Sequence, residues 1–92
     1  MNHKKIVLIT GASGELGFAT LKSFAEKDYL VIAQCFSNLS KLESLIEKHS
    51  LEKRNIIIYK CNFDIKDDIK KMFLDIQKKF SKIDILINNI VL

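Results

Sequence analysis

The chain is 92 residues long, 48% hydrophobic and 28% charged, with no proline; that length holds one core, and the composition excludes low-complexity and fibrous classes. The net charge of +4 comes from 15 Lys and Arg against 11 Asp and Glu. Bases and acids interleave, and no aromatic residues alternate with the lysines, so the pattern reads as solvated faces and excludes a nucleic-acid groove.

Lys5–Ile9 reads as a strand whose unbroken apolar run Ile6–Ile9 predicts cover on both faces. Thr10–Gly17 is a turn of small residues, and the helix after it, to Lys27, carries Leu16, Thr20 and Phe24 at every fourth position beside Leu21 and Ala25. Tyr29–Cys35 reads as a second strand. Ser40 with Glu43 three residues on fits a capping box, and Leu42, Leu45, Ile46 and His49 mark the inner face of a second helix. Asn55–Cys61 is a third strand. Ile69, Phe73, Ile76 and Phe80 define an amphipathic third helix, and Ile83–Asn88 is a fourth strand. The order βαβαβαβ implies an α/β fold: a parallel sheet ordered 3-2-1-4 with helices on both faces, in one domain over residues 1–92.

The chemistry starts at the turn. A strand that ends in Gly11, Gly14 and Gly17 and then enters a helix gathers unpaired backbone N–H groups and the positive helix end at one place, which suits a pyrophosphate. By itself the triplet also fits three glycines easing a strand-to-helix turn, and its place after the first strand of a βαβ unit favours the phosphate reading.

Together the segments Thr10–Gly17, Asn62-Phe63-Asp64-Ile65 followed by Asp67, and Asp84–Asn89 resemble, in order and spacing, three motifs of the short-chain dehydrogenase/reductases. Within that family the likeness is to bacterial 3-oxoacyl-acyl-carrier-protein reductases. The resemblance implies a Rossmann-like three-layer sandwich that binds a dinucleotide. It implies that Gly11, Ala12, Ser13, Gly14, Leu16 and Gly17 line the cofactor's phosphates and ribose. Asp64 would accept from the adenine amino group, Ile65 would cap the adenine ring, and the backbone of Asn89 would lie near the nicotinamide-side ribose. The alternative for Asp64 is a helix N-cap or first-turn acid.

Three features depart from the family pattern. Glu15 replaces the usual middle glycine of the turn, Asn88-Asn89-Ile90-Val91 stands where Asn-Asn-Ala-Gly is usual, and the chain ends at Leu92, ahead of the family's catalytic Ser and Tyr-x-x-x-Lys. Neither Tyr29 nor Tyr59 has a lysine four residues on. The expectation is therefore a nucleotide-binding half-domain, truncated after strand 4, with no catalytic residue of its own. The alternative is a non-enzymatic nucleotide-binding or interaction module, or one half of a split enzyme. The end of strand 2 carries Cys35 where NAD-type sites place an acid, with Ser37, Asn38 and Lys41 near, so NADP is expected and NAD is the alternative.

Cys35 and Cys61 have no metal-hairpin or redox spacing; they are expected to sit close together on neighbouring strands and to remain buried thiols. His3 and His49 are isolated, so no metal is expected. No apolar run reaches the roughly 20 residues of a membrane span, and the apolar stretch after Lys5 is too short for a secretory leader, so a cytoplasmic protein is expected. An edge strand at Ile83–Ile87 guarded only by Asp84 predicts self-association through strand 4.

Overall fold

The computed structural model describes residues 4–90. Four parallel strands, β1 (Ile6–Thr10), β2 (Leu30–Cys35), β3 (Ile56–Lys60) and β4 (Ile85–Asn88), form one sheet ordered β3-β2-β1-β4. Helices α1 (Glu15–Ala25), α2 (Leu39–Lys48) and α3 (Lys66–Lys79) connect them, with a short 3-10 turn at Lys53–Asn55. In the register, Leu8 lies opposite Ile32 on one side and Leu86 on the other. This is the expected Rossmann-like arrangement.

Alternation along the strands explains why β1 and β2 lack polar spacing. Val7, Ile9, Val31 and Ala33 join Phe18 and Leu21 of α1 and Leu42 and Ile46 of α2 in one core cluster. On the other face Ile6, Leu8 and Ile32 pack with Met72 and Ile76 of α3. Each central strand is thus apolar on both sides, and each crossover helix is held by the face it covers.

Local corrections follow from those contacts. The α1 stripe is rotated by one residue: Gly17, Phe18 and Leu21 are buried, whereas Leu16 is 71% exposed. Gly17 sits so close to the Gly11 carbonyl that this contact sets the helix rotation. The expected capping box at Ser40 is absent, because α2 begins at Leu39 with Asn38 as N-cap. Leu39 packs against the first core cluster, which draws the helix start two residues earlier. His49, expected on the inner face, is exposed and lies beside the Phe18 ring at 5.3 Å. In α3 the buried pair is Met72 and Ile76, while Phe73 is 40% exposed.

Asp84 does more than guard an edge. Its carboxylate accepts from the Ile6 N–H at 2.8 Å and its own N–H donates to the Ile6 carbonyl at 2.9 Å, so it pins the start of β4 to the start of β1. That hydrogen bond from Ile6, with Lys82 adjacent, holds the Asp84 carboxyl below the usual carboxylate range.

The cysteines meet through backbone only. The Cys61 N–H donates to the Cys35 carbonyl at 2.9 Å. Their side chains belong to opposite faces of the sheet, Cys35 with the α1/α2 cluster and Cys61 with the α3 cluster, and both are free, buried thiols. Burial raises the pKa of each thiol, which keeps both protonated.

Candidate functional site

A parallel sheet puts every strand-to-helix loop at the same rim. The turn after β1, Ser37 after β2, Asp64 and Ile65 after β3 and Asn89 after β4 all stand there. Gly11 takes φ +62°, a left-handed conformation that turns the chain sharply out of β1. A Cβ on Gly17 would fall 2.0 Å from the Gly11 carbonyl oxygen and 3.0 Å from the Ala12 Cα, so only glycine allows α1 to start this close to the sheet. Gly14 differs. A Cβ there would meet only the Gly11 oxygen, at an ordinary 3.6 Å.

Gly14 is also the N-cap of α1 and makes no side-chain cap hydrogen bond. The first helical bond runs from the Phe18 N–H to the Gly14 carbonyl at 2.8 Å. By helix geometry the N–H groups of Glu15, Leu16 and Gly17 precede it without intrahelical acceptors. Leu16 and Glu15 are exposed beside them, and Ser13 is buried at the foot of the turn. The Gly11 and Ala12 amides are already engaged: Gly11 donates to Gln34 Oε1 at 2.8 Å, and Ala12 donates to the Gln34 carbonyl at 2.9 Å. The Gly14 N–H is engaged as well, donating to the Gly11 carbonyl at 3.3 Å, so donor capacity for an anion lies in the first turn of α1.

The strand-4 motif is tied to Thr10. The Thr10 hydroxyl donates to Asn88 Oδ1 at 2.6 Å and accepts from the Asn89 N–H at 3.0 Å, while Asn89 Nδ2 donates to the Thr10 carbonyl at 3.1 Å. Asn89 Cβ lies 3.4 Å from where a Cβ on Gly11 would stand. This lock brings Asn89 against the glycine turn and spends its backbone donor. Val91, the last bulky departure from the family motif, lies outside the described residues.

On the β3 side the Asp64 N–H donates to Asn62 Oδ1 at 2.9 Å, and Asp68 accepts from the Asn62 N–H at 3.3 Å. Ile65, 47% exposed, is the N-cap position of α3, so Asp64 precedes the helix instead of capping it. Asp64 and Ser37 are exposed on neighbouring loops of the rim, and Cys35 points into the core. Gln34 is the site residue that motif reading misses; its signal is an amide inside the apolar run Val31-Ile32-Ala33-Gln34-Cys35. Among the described residues no cluster of three His, Cys, Asp or Glu side chains could hold a metal, and no helix is long and apolar enough to cross a membrane.

The family model for short chain dehydrogenase matches residues 5–91. The chain belongs to the short chain dehydrogenase family. It is 34% identical over 85 residues to the 3-oxoacyl-[acyl-carrier-protein] reductase of Thermotoga maritima, an alignment covering 92% of this chain and 34% of that protein. It is 32% identical over 87 residues to the sorbose reductase of Candida albicans, covering 92% of this chain and 30% of the reductase. A solved short chain dehydrogenase from Bacillus anthracis superposes with a TM-score of 0.76 at 32% identity, across 89% of this chain and 34% of that one. The short chain dehydrogenase described here thus spans about a third of the length of the relatives it matches. The glycine turn and the Asn88-Asn89 lock both lie within the matched segment.

Proposed function

We propose that this short chain dehydrogenase chain binds the adenosine-diphosphate end of a nicotinamide dinucleotide across the rim, as the cofactor-binding half of a carbonyl reductase of the 3-oxoacyl type. The observation that carries the reading is Gly14. The protein's own packing leaves room for a Cβ there, unlike at Gly17, and the helix that starts at Gly14 lacks a side-chain cap. A bare N-cap with free N–H groups above it leaves room for a phosphate to approach. Ser13, Gly14, Leu16 and Gly17 are assigned to the pyrophosphate, with Gly11 and Ala12 shaping the turn. Asp64 accepts from the adenine amine, Ile65 covers the ring, and Asn89 borders the ribose nearer the nicotinamide.

When bound, the nicotinamide supplies the hydride. No residue of the chain is assigned a proton-transfer role, since neither tyrosine has a lysine four residues on. NADP is favoured over NAD because β2 ends in a buried cysteine, without a carboxylate to hold the ribose hydroxyl or repel a 2′-phosphate. Ser37, Asn38 and Lys41, at the start of α2, offer donors to that phosphate.

The test is calorimetric titration of the chain with NADPH and NADH, repeated with Gly14→Val and Asp64→Ala. NADPH should bind more tightly than NADH, and both variants should bind NADPH more weakly. Equal affinity in all three proteins contradicts the assignment.

A second reading, an association module, is favoured by one observation. Among the described residues β4 pairs with β1 alone, and on the sheet face that α3 covers Leu86 is 60% exposed beside a hollow of about 210 Å³ lined by Phe63, Ile69 and Phe73. Concentration-dependent sedimentation that Leu86→Lys abolishes supports it; a monomer at all concentrations removes it.

A further inference from the structure

We propose that Gln34 is a positioning residue, whose buried amide holds the glycine turn and the β3 loop at a fixed separation and thereby sets the affinity for the dinucleotide. The inference rests on the cofactor reading above. Gln34 is 2% exposed and lies two residues from the part of the rim that carries Phe36 and Ser37. Its Oε1 accepts from the Gly11 N–H at 2.8 Å, and its Nε2 donates to the Cys61 carbonyl at 2.7 Å. Backbone bonds run alongside, from the Ala12 N–H to the Gln34 carbonyl and from the Cys61 N–H to the Cys35 carbonyl, each 2.9 Å.

Packing alone does not call for an amide here. The neighbours Ile32, Ala33 and Cys35 are apolar and buried, and a strand residue of their kind would fill the space. What an amide adds is one acceptor and one donor on a single planar group, which lets it bridge an N–H on one strand end to a C=O on another. The N–H belongs to Gly11, two and three residues before Ser13 and Gly14. The C=O belongs to Cys61, three and four residues before Asp64 and Ile65. The two halves of the rim are thus coupled through one side chain whose polar atoms are all partnered, and removal of either bond leaves a buried group unsatisfied.

Gln34→Glu tests the bridge. The introduced carboxylate keeps the shape and still accepts from Gly11, but it faces the Cys61 carbonyl with a second acceptor. Burial and that carbonyl raise its pKa, so the protonated acid, which can donate to Cys61 as the amide does, forms as pH falls. The probe is NADP⁺, titrated into the full chain by calorimetry at about pH 8 and about pH 5, with the ratio of wild-type to variant affinity read at each pH. At the higher pH the variant should bind about tenfold more weakly, and at the lower pH the ratio should return toward one. Amide hydrogen exchange supplies a readout free of cofactor: in the variant, residues 11–17 and 60–65 should exchange faster together at high pH, with α3 unchanged. A pH-independent ratio, or an affinity that falls only with the folded fraction, overturns the proposal. If wild type itself binds no NADP⁺, the cofactor reading fails; the bridge is then decided by exchange, and independent changes in the two segments overturn it.

Discussion

Gly17→Ala separates what the fold demands of the glycine turn from what a ligand demands. An added Cβ would lie 2.0 Å from the Gly11 oxygen, 2.9 Å from the Gly11 carbonyl carbon and 3.0 Å from the Ala12 Cα. All three are backbone atoms, so no rotamer change relieves the overlap, and α1 must move from the sheet by more than 1 Å to reach ordinary contact at about 3.4 Å. Overpacking of this kind costs about 3 kcal/mol, offset by about 1 kcal/mol of improved helix propensity. The net loss of about 2 kcal/mol should lower Tm by about 8–16 °C in a domain of this size. Gly14→Ala is the control: with φ −74° and only a 3.6 Å contact, it should cost no more than about 1 kcal/mol, the loss of a tolerant N-cap. Urea unfolding followed by circular dichroism measures both. A Gly17→Ala variant within about 0.5 kcal/mol of wild type would refute the claim that this contact fixes α1.

Three further outcomes are expected. The 92-residue chain should show no NADPH oxidation with ketone or 3-oxoacyl substrates, because it holds no tyrosine–lysine proton donor; turnover that survives removal of contaminating reductases counts against this. Cys35 and Cys61 should react with a thiol reagent only as the chain unfolds, since both are buried with raised pKa values, and rapid reaction of the native protein would contradict their placement. The Asp84 carboxyl, held low by its hydrogen bond from Ile6, contributes stability that is present above the unfolded carboxyl value of about 4 and is lost as pH falls below it through the lower folded value. Asp84→Asn should therefore lose stability at neutral pH and flatten the decline below about pH 4, and an unchanged acid limb would show that the contact adds nothing.

What the sequence made legible was whatever depends on neighbours along the chain. The unbroken run Ile6–Ile9 announces a strand covered on both faces, and the glycine spacing announces a strand-to-helix turn. The rotation of α1 was hidden, because it depends on Gly17 meeting a carbonyl six residues away across a turn, and so Leu16 read as core although it faces solvent. The stripe Ile69, Phe73, Ile76 and Phe80 points to Phe73 as core, yet the packing against the sheet buries Met72 and leaves the Phe73 ring 40% exposed at the edge of α3. Asp84 looked like a charge guarding an edge, yet its role is a bond to Ile6 from the far end of the sequence. Gln34 belongs to the same class: an amide in an apolar strand must find partners, but only the register of β1, β2 and β3 shows that they are Gly11 and Cys61.

Residue-resolved NMR of the ¹⁵N-labelled chain, titrated with NADP⁺, tests the central claim most directly. The account predicts that the amides of Ser13–Gly17 and of Asp64 and Ile65 shift together along one saturable curve, with the Ser37 amide following them. Shifts confined to the opposite end of the sheet, around Lys4, Arg54 and Lys82, or no saturable shift at all, would contradict it.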